Sequence, residues 1–144
     1  MKKTRKLLKN QKGLTLIELL AVIVILAIVA AIAVPAVGNI INNSRDKAIL
    51  SEASSILAGA KLAAAEGVCD PLATPSTCDQ TNLNENYVEG ITDGETTTSY
   101  SVSKTESGPW SVTYSKFSEI KNTEKFPVSS NTVTETVLNQ LLEK

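Results

Sequence analysis

An apolar stretch near the amino terminus constrains this chain most. The 24 residues from 14 to 37 are almost all Leu, Ile, Val and Ala, and Glu18 is the one charged residue among them. As a helix they would measure about 36 Å, which is enough to cross the roughly 30 Å apolar core of a bilayer. A carboxylate inside such a span costs about 2.5–3.5 kcal/mol on insertion scales and usually has a function. The sequence therefore predicts a membrane helix in which Glu18 needs a positive partner.

Charge divides the chain at Gly13. Six basic residues and no acidic residue precede that glycine: Lys2, Lys3, Arg5, Lys6, Lys9 and Lys12. Basic residues beside a span stay on the cytoplasmic side, so we expect residues 1–13 to be cytoplasmic. Without them, 8 of the 14 basic residues face 15 acidic ones, a formal charge of −7. Such an acidic chain is not expected to bind nucleic acid directly, because that requires clustered Lys and Arg.

The composition argues against an enzyme. The chain has no histidine, so it has no His general base, no Ser-His pair and no His metal ligand. We therefore expect no catalysis and no cofactor. Four acids after the helix, Asp70, Asp79, Asp93 and Glu95, could ligate calcium, but acids in loops are usually solvated, and no metal is expected.

The two cysteines favour a disulfide. Cys69 and Cys78 enclose eight residues, among them Pro71 and Pro75. A metal site would need more ligands and closer pairs. A disulfide implies an oxidising compartment, and closing so short a loop stabilises by about 2.5–3 kcal/mol in the chain-entropy description.

Helical periodicity continues after the apolar stretch and predicts an amphipathic segment over residues 38–67. Gly67 is the expected stop of this helix. One face is mainly apolar and should pack on a partner surface, and the other is mainly polar. The apolar positions are Ile41, Ile49, Ala53, Ile56, Ala60 and Ala64, and the opposite positions are Asn43, Lys47, Ser51, Ser54, Lys61 and Ala65.

The rest of the chain predicts a loop and a small sheet. Residues 68–95 are rich in turn-forming residues, and we expect Tyr87, Val88 and Ile91 to anchor them to the core. Period-two alternation predicts strands around residues 100–104 and 110–114, joined by a turn at 106–109, with Trp110 and Tyr114 facing the core. A third strand is expected at 117–120 or 126–129.

A short helix is predicted at the carboxyl terminus. It would run from Thr132 to Leu142, and Thr132 and Glu135 have the spacing of a capping box. With the preceding elements this gives an α+β fold. In that fold the second half of the long amino-terminal helix packs on a small antiparallel sheet.

Two ordinary explanations of the amino-terminal segment compete with a more specific one. A secretory signal peptide would be cut near Ala31, Ala33 or Ala36. However, a charged residue fits its apolar region poorly, and the helical pattern runs through the proposed cut. A plain signal anchor explains the basic residues and the apolar length, but it does not explain Glu18.

Lys12-Gly13-Leu14-Thr15-Leu16-Ile17-Glu18, followed by an apolar helix, resembles the class III signal of type IV pilins and pseudopilins. The resemblance implies that a prepilin peptidase cuts after Gly13 on the cytoplasmic face. The same enzyme would then methylate the new terminus, Leu14, where many members have Phe. Pro35 falls where many pilins carry a helix-kinking proline, and proline itself favours a kink there.

Cleavage would give Glu18 its partner. The new ammonium at Leu14 lies four residues away on the same helical face. Glu18 would pair with its own terminus or, in a filament, with the terminus of a neighbouring subunit, which would fix the register between subunits. Glu18 also lies near the helix start, so a side chain that merely reaches the cytoplasmic interface is an alternative.

The sequence thus predicts four parts. These are a basic leader at 1–13, a transmembrane and assembly helix at 14–37, an amphipathic helix at 38–67 and a globular head at 68–144. The resemblance implies a structural subunit of a type IV pilus or pseudopilus, anchored by a single pass and then exported into a surface filament. Such filaments serve motility, adhesion, DNA uptake (competence) or protein secretion. The implied partners are the peptidase, identical or related pilin subunits and an ATPase-driven assembly machine. A membrane-anchored extracytoplasmic binding module that never polymerises is the alternative.

Overall fold

The computed structural model describes residues 4–74, 76–83, 86–91, 98–128 and 130–144, with side chains from residue 15 onward. The chain divides into two units, Met1–Ile41 and Asn42–Lys144. Every buried residue of the described chain belongs to the second unit.

Helix α1 spans Thr4–Ala65 and contributes to both units. In the first unit its described side chains are all exposed. Pro35 lies inside the helix. Its ring removes one backbone hydrogen bond, and the helical assignment nevertheless continues on both sides. The kink at Pro35 stays a prediction.

The second-unit part of α1 is amphipathic, as the periodicity predicts. Ile49, Ala53, Ile56 and Ala60 are buried, and they lie three and four residues apart, so they share one face. Three further residues of this face are also buried: Leu50, Leu57 and Ala63. The predicted stripe is wrong only at Ile41, which is exposed, whereas Ala64 is half-buried and packs against the core.

Gly67 ends α1, as predicted. It has a φ of +75°, a conformation that costs glycine little because it has no Cβ. The Gly67 N–H donates to the Ala64 carbonyl at 3.2 Å, and the Val68 N–H donates to the Ala63 carbonyl at 2.9 Å. These two bonds form a Schellman motif, which satisfies carbonyls at the helix end.

Four antiparallel strands form one sheet in the order β1-β2-β3-β4. They are β1 Cys78–Asp79, β2 Tyr100–Lys104, β3 Trp110–Tyr114 and β4 Thr132–Thr134. One row of paired residues crosses the whole sheet, and all of its members are buried: Cys78, Val102, Val112 and Val133. Because alternate side chains of a strand share a face, this row defines the core face, and it belongs to the same core as α1.

The α+β prediction is confirmed, and so are strands β2 and β3. Tyr114 is fully buried and Trp110 packs against the core, as expected. The third strand predicted at 117–120 is wrong, because Ser115–Glu119 forms a 3₁₀-helix. Phe117 is buried there and meets the Tyr114 ring edge-on at 5.7 Å between centroids. Residues 126–128 form no strand, and Ser129 lies outside the described residues.

The carboxyl-terminal helix begins later than predicted. Thr132–Thr134 forms β4, and α2 spans Glu135–Leu142. Thr134 is the N-cap residue and makes no side-chain capping bond, so the capping box is wrong. Three β-branched residues in a row fit a pleated strand better than a first helical turn, and pairing with β3 uses their backbone groups.

The loop after α1 packs against the core at the three residues predicted to anchor it. Val88 and Ile91 are buried and Tyr87 packs on the core. The Tyr87 phenol donates a hydrogen bond to Glu66, and this bond raises the pKa of Tyr87. Gly59 allows the close approach, since a Cβ there would lie 2.3 Å from the Tyr87 carbonyl oxygen and 2.8 Å from Val88 Cγ2.

The substitution Gly59→Ala should therefore destabilise the second unit by about 1–3 kcal/mol, because the loop backbone must shift to admit the methyl group. Urea unfolding of the full chain in detergent, followed by Trp110 fluorescence, measures the change. Gly38→Ala is the control, since nothing lies within 4 Å of a Cβ at Gly38. Equal stability of Gly59→Ala and the unmodified chain would contradict the seating of the loop.

Candidate functional site

The first half of α1 presents an apolar surface on which every described side chain is exposed. Its large apolar side chains between Leu16 and Val37 are 49% to 71% exposed. By length and composition this helix can cross a membrane. A signal sequence can be equally long and apolar. The residues at the start of the helix therefore decide between a membrane-spanning helix and a signal sequence. An apolar surface of this extent requires lipid or partner helices.

Glu18 is the acid of this surface, and its side chain is exposed. Gly13 and Leu14 lie within the bounds of α1, whereas the Leu14 side chain lies outside the described residues. Positions 14 and 18 are one helical turn apart on the same face. A terminal ammonium created at Leu14 would therefore be within reach of the Glu18 carboxylate. The roles of Gly13, Leu14 and Glu18 stay predictions.

Cys69 and Cys78 form a disulfide with a Cα–Cα distance of 5.0 Å. Since Cys78 starts β1, the bridge ties the end of α1 to the edge of the sheet. Backbone bonds reinforce it: the Thr77 N–H donates to the Asp70 carbonyl at 3.1 Å, and the Lys104 N–H donates to the Pro71 carbonyl at 2.9 Å.

The candidate calcium ligands that the structure describes serve the backbone instead. The Asp70 carboxylate accepts the Leu72 N–H at 2.9 Å, and the Asp79 carboxylate accepts the Thr81 N–H at 2.9 Å. Both are turns in which aspartate bonds the backbone two residues on. Asp93 and Glu95 lie outside the described residues. Within the described ranges, no three His, Cys, Asp or Glu residues are grouped so as to hold a metal.

Asp46 is an anchor that the sequence did not reveal. Its side chain is 1% exposed. One carboxylate oxygen accepts the Lys121 N–H at 3.0 Å and the other accepts the Asn122 N–H at 2.8 Å. The side-chain amide of Asn122 in turn donates a hydrogen bond to the side-chain oxygen of Asn43 at 2.7 Å. In the sequence Asp46 is an acid between Arg45 and Lys47, a pattern typical of a solvated helix face.

Glu52 is a second polar link between α1 and the sheet. Its carboxylate accepts a hydrogen bond from the buried Tyr114 phenol. The Lys116 ammonium lies 3.5 Å from the same carboxylate oxygen. Asp46 and Glu52 therefore fix the segment around the 3₁₀-helix to the first three helical turns of the second unit.

Residues 8–34 match the family described as prokaryotic N-terminal methylation motif. The chain thus carries the class III signal of type IV pilins and pseudopilins. No curated protein and no solved structure gives a significant match to the chain. The motif supports a pilin-like or pseudopilin precursor, and it indicates a structural protein rather than an enzyme.

Replacing Asp46 with Ala should cost about 2–4 kcal/mol, because two backbone N–H donors lose a charged acceptor. Asp46→Asn keeps one acceptor oxygen but places an NH₂ donor against the other backbone N–H, so it should destabilise by a similar amount. Thermal unfolding of the full chain in detergent gives both values. Lys47→Ala, at an exposed neighbour, should change stability by less than about 0.5 kcal/mol. An Asp46→Ala variant as stable as Lys47→Ala would refute the anchoring role.

Proposed function

We propose that this protein is the precursor of a filament subunit, a type IV pilin or pseudopilin, processed after Gly13 and polymerised through the first half of α1. The observation that carries the proposal is the motif at residues 8–34, which lies in the first half of α1, where the described large apolar side chains are all exposed. A subunit that is held in a membrane before assembly needs both a processing signal and an exposed apolar surface. This segment has both.

The same apolar surface would serve two successive environments. Before assembly it would lie in lipid, with residues 1–13 on the cytoplasmic side. After assembly it would lie against the helices of neighbouring subunits. Burial stabilises by about 25 cal/mol per Å² of apolar surface in either case, so lipid and neighbouring helices are interchangeable partners for these side chains. This equivalence supports extraction from the membrane into a fibre.

Glu18 would set the register of that fibre. Within an apolar bundle a carboxylate without a partner costs several kcal/mol, whereas a paired one is tolerated. The ammonium that cleavage creates at Leu14 lies at the start of the same apolar helix in every copy. It is therefore the nearest cation that a neighbouring copy can offer to Glu18. A stagger that brings Leu14 of one subunit to Glu18 of the next would satisfy both charges between subunits.

The second unit would form the head of the subunit. It carries the disulfide and the sheet, and the disulfide suits an oxidising exterior. Peptidase, related pilin subunits and an ATPase-driven machine are the partners that this function requires. A membrane-anchored binding module would use the same anchor but would have no need of Glu18 at this position.

Amino-terminal sequencing of the processed protein should begin at Leu14, and mass spectrometry should find one added methyl group on that residue. A Gly13→Val variant should remain at full precursor length, because a branched side chain replaces the glycine before the cut. Insertion into the membrane should not change in this variant. A processed chain that starts near Val34 or Val37 would sink the proposal and favour a secretory signal.

Replacing Glu18 with Ala should abolish incorporation into filaments while leaving membrane insertion intact, because the uncharged helix inserts more readily than the charged one. Glu18→Gln keeps the shape without the charge and should fail equally, whereas Glu18→Asp should retain partial assembly. Electron microscopy of sheared surface fractions, with mass spectrometry of this chain, gives the result. Normal filaments from Glu18→Ala would contradict the pairing. A chain that starts at Leu14 and never enters a filament would favour the anchored binding module.

A further inference from the structure

Hydroxyl groups line the outer face of the sheet, which points away from the core. Side chains of a strand alternate between the two faces, and the buried row that crosses the sheet marks the core face. The residues next to that row share the opposite face. They are Asp79 on β1, Ser101 and Ser103 on β2, Ser111 and Thr113 on β3, and Thr132 and Thr134 on β4. We call this surface the hydroxyl face.

The strand register orders these hydroxyls in two rows. The first row is Ser103, Ser111 and Thr134, and the second is Ser101, Thr113 and Thr132. Ser103 and Thr132 are exposed, and the other four are half-buried. Neighbouring strands lie about 4.8 Å apart, and alternate residues of one strand lie about 6.7 Å apart. The hydroxyls therefore form a regular array.

The hydroxyl face carries almost no charge, although the chain is acidic. Among its strand residues only Asp79 is charged, and the Asp79 carboxylate accepts the N–H groups of Thr81 at 2.9 Å and Asn82 at 3.3 Å. Soluble surfaces usually carry about 25–35% charged residues. After cleavage at Gly13 the chain would hold 8 basic and 15 acidic residues, so copies would repel one another. This repulsion would be weakest where two hydroxyl faces meet.

The hydroxyl face is complementary to itself. A hydroxyl group can both donate and accept a hydrogen bond. The Thr113 and Thr132 hydroxyls do so within the face, with 2.8 Å between their oxygens. The Ser103 and Ser111 side chains make no hydrogen bond in the described part of the chain, so their hydroxyls are open to a partner. A contact between two identical faces is two-fold symmetric and closes on itself.

The size of the hydroxyl face limits what one such contact can hold. Strands of five residues in a sheet of four strands cover roughly 16 Å by 14 Å, or roughly 230 Å². A stable pair of proteins needs about 800 Å² from each partner. One contact is therefore too small to hold two free subunits together. In a filament the face would repeat with every subunit, and linked weak contacts raise the overall affinity by about 10²–10⁴-fold.

We propose that the hydroxyl face is a contact surface between filaments, and that its occupant is the same face of a subunit in a neighbouring filament. The inference rests on the proposed function, because only a filament presents the face many times. Polymerisation would use the first half of α1, which belongs to the first unit, and the hydroxyl face belongs to the second. Free subunits would stay apart, whereas filaments would associate side by side.

Sheared filaments in a buffer that contains a chelator test the proposal. Low-speed sedimentation and electron microscopy measure the bundled fraction at low and high salt. The unmodified filaments should form bundles, and more of them at high salt, because salt screens the acidic surroundings but does not weaken bonds between hydroxyls. Ser103→Glu with Thr132→Glu puts a charge in each row and should lower the bundled fraction about tenfold at low salt. Ser103→Ala with Ser111→Ala removes the open hydroxyls without adding charge and should also lower it.

A matched control adds the same charge elsewhere. Thr123 and Gln140 are exposed and lie outside the strands, so Thr123→Glu with Gln140→Glu should bundle like the unmodified chain. Equal loss in both glutamate variants would show that net charge alone controls bundling and would overturn the proposal. Bundles that dissolve at high salt, or that the alanine variant leaves unchanged, would overturn it too. Absence of filaments would overturn the proposed function and this inference with it, whereas filaments that stay single would overturn this inference alone.

Discussion

The second unit depends on one buried surface that α1 and the sheet share. The apolar face of α1 around Leu50, Ile56 and Ala63 and the row of paired residues across the strands belong to a single core. Close packing leaves such a core little tolerance for added atoms. Gly59 shows the consequence, since the loop at Tyr87 and Val88 approaches the helix more closely than any side chain there would allow. The disulfide and β1 then hold the chain that leaves α1 against the sheet edge.

Polar contacts also connect α1 to the rest of the second unit. Buried carboxylates are expensive unless hydrogen bonds satisfy them. Asp46 meets this requirement with two backbone donors from the segment after the 3₁₀-helix. The half-buried Glu52 carboxylate accepts from a buried phenol and pairs with an ammonium. Both acids lie in the first turns of the second unit, close in sequence to the apolar segment.

The first half of α1 differs from the second unit in the exposure of its side chains. None of its described side chains is buried, although nearly all are apolar, so its stable surroundings must come from lipid or from other chains. Against that background the methylation motif at residues 8–34 connects the segment to the class of proteins that pass from membrane to filament. The two units therefore differ in their burial: the described core lies in the second unit, whereas the apolar side chains of the first half of α1 are exposed and require lipid or partner helices.

The sequence by itself determined the features that repeat at short range. Apolar periodicity predicted the buried face of α1, glycine predicted its end, alternation predicted β2 and β3, and the residues from Lys12 to Glu18 predicted the signal. It could not determine contacts between distant segments. Thr132–Thr134 forms a strand because it pairs with β3. Residues 115–119 form a 3₁₀-helix that buries Phe117 against Tyr114. Asp46 was indistinguishable from a solvated acid until the fold brought Lys121 and Asn122 to it. Only tertiary structure decides such cases, because an acid, a β-branched run or an aromatic residue is satisfied by whatever lies nearest in space.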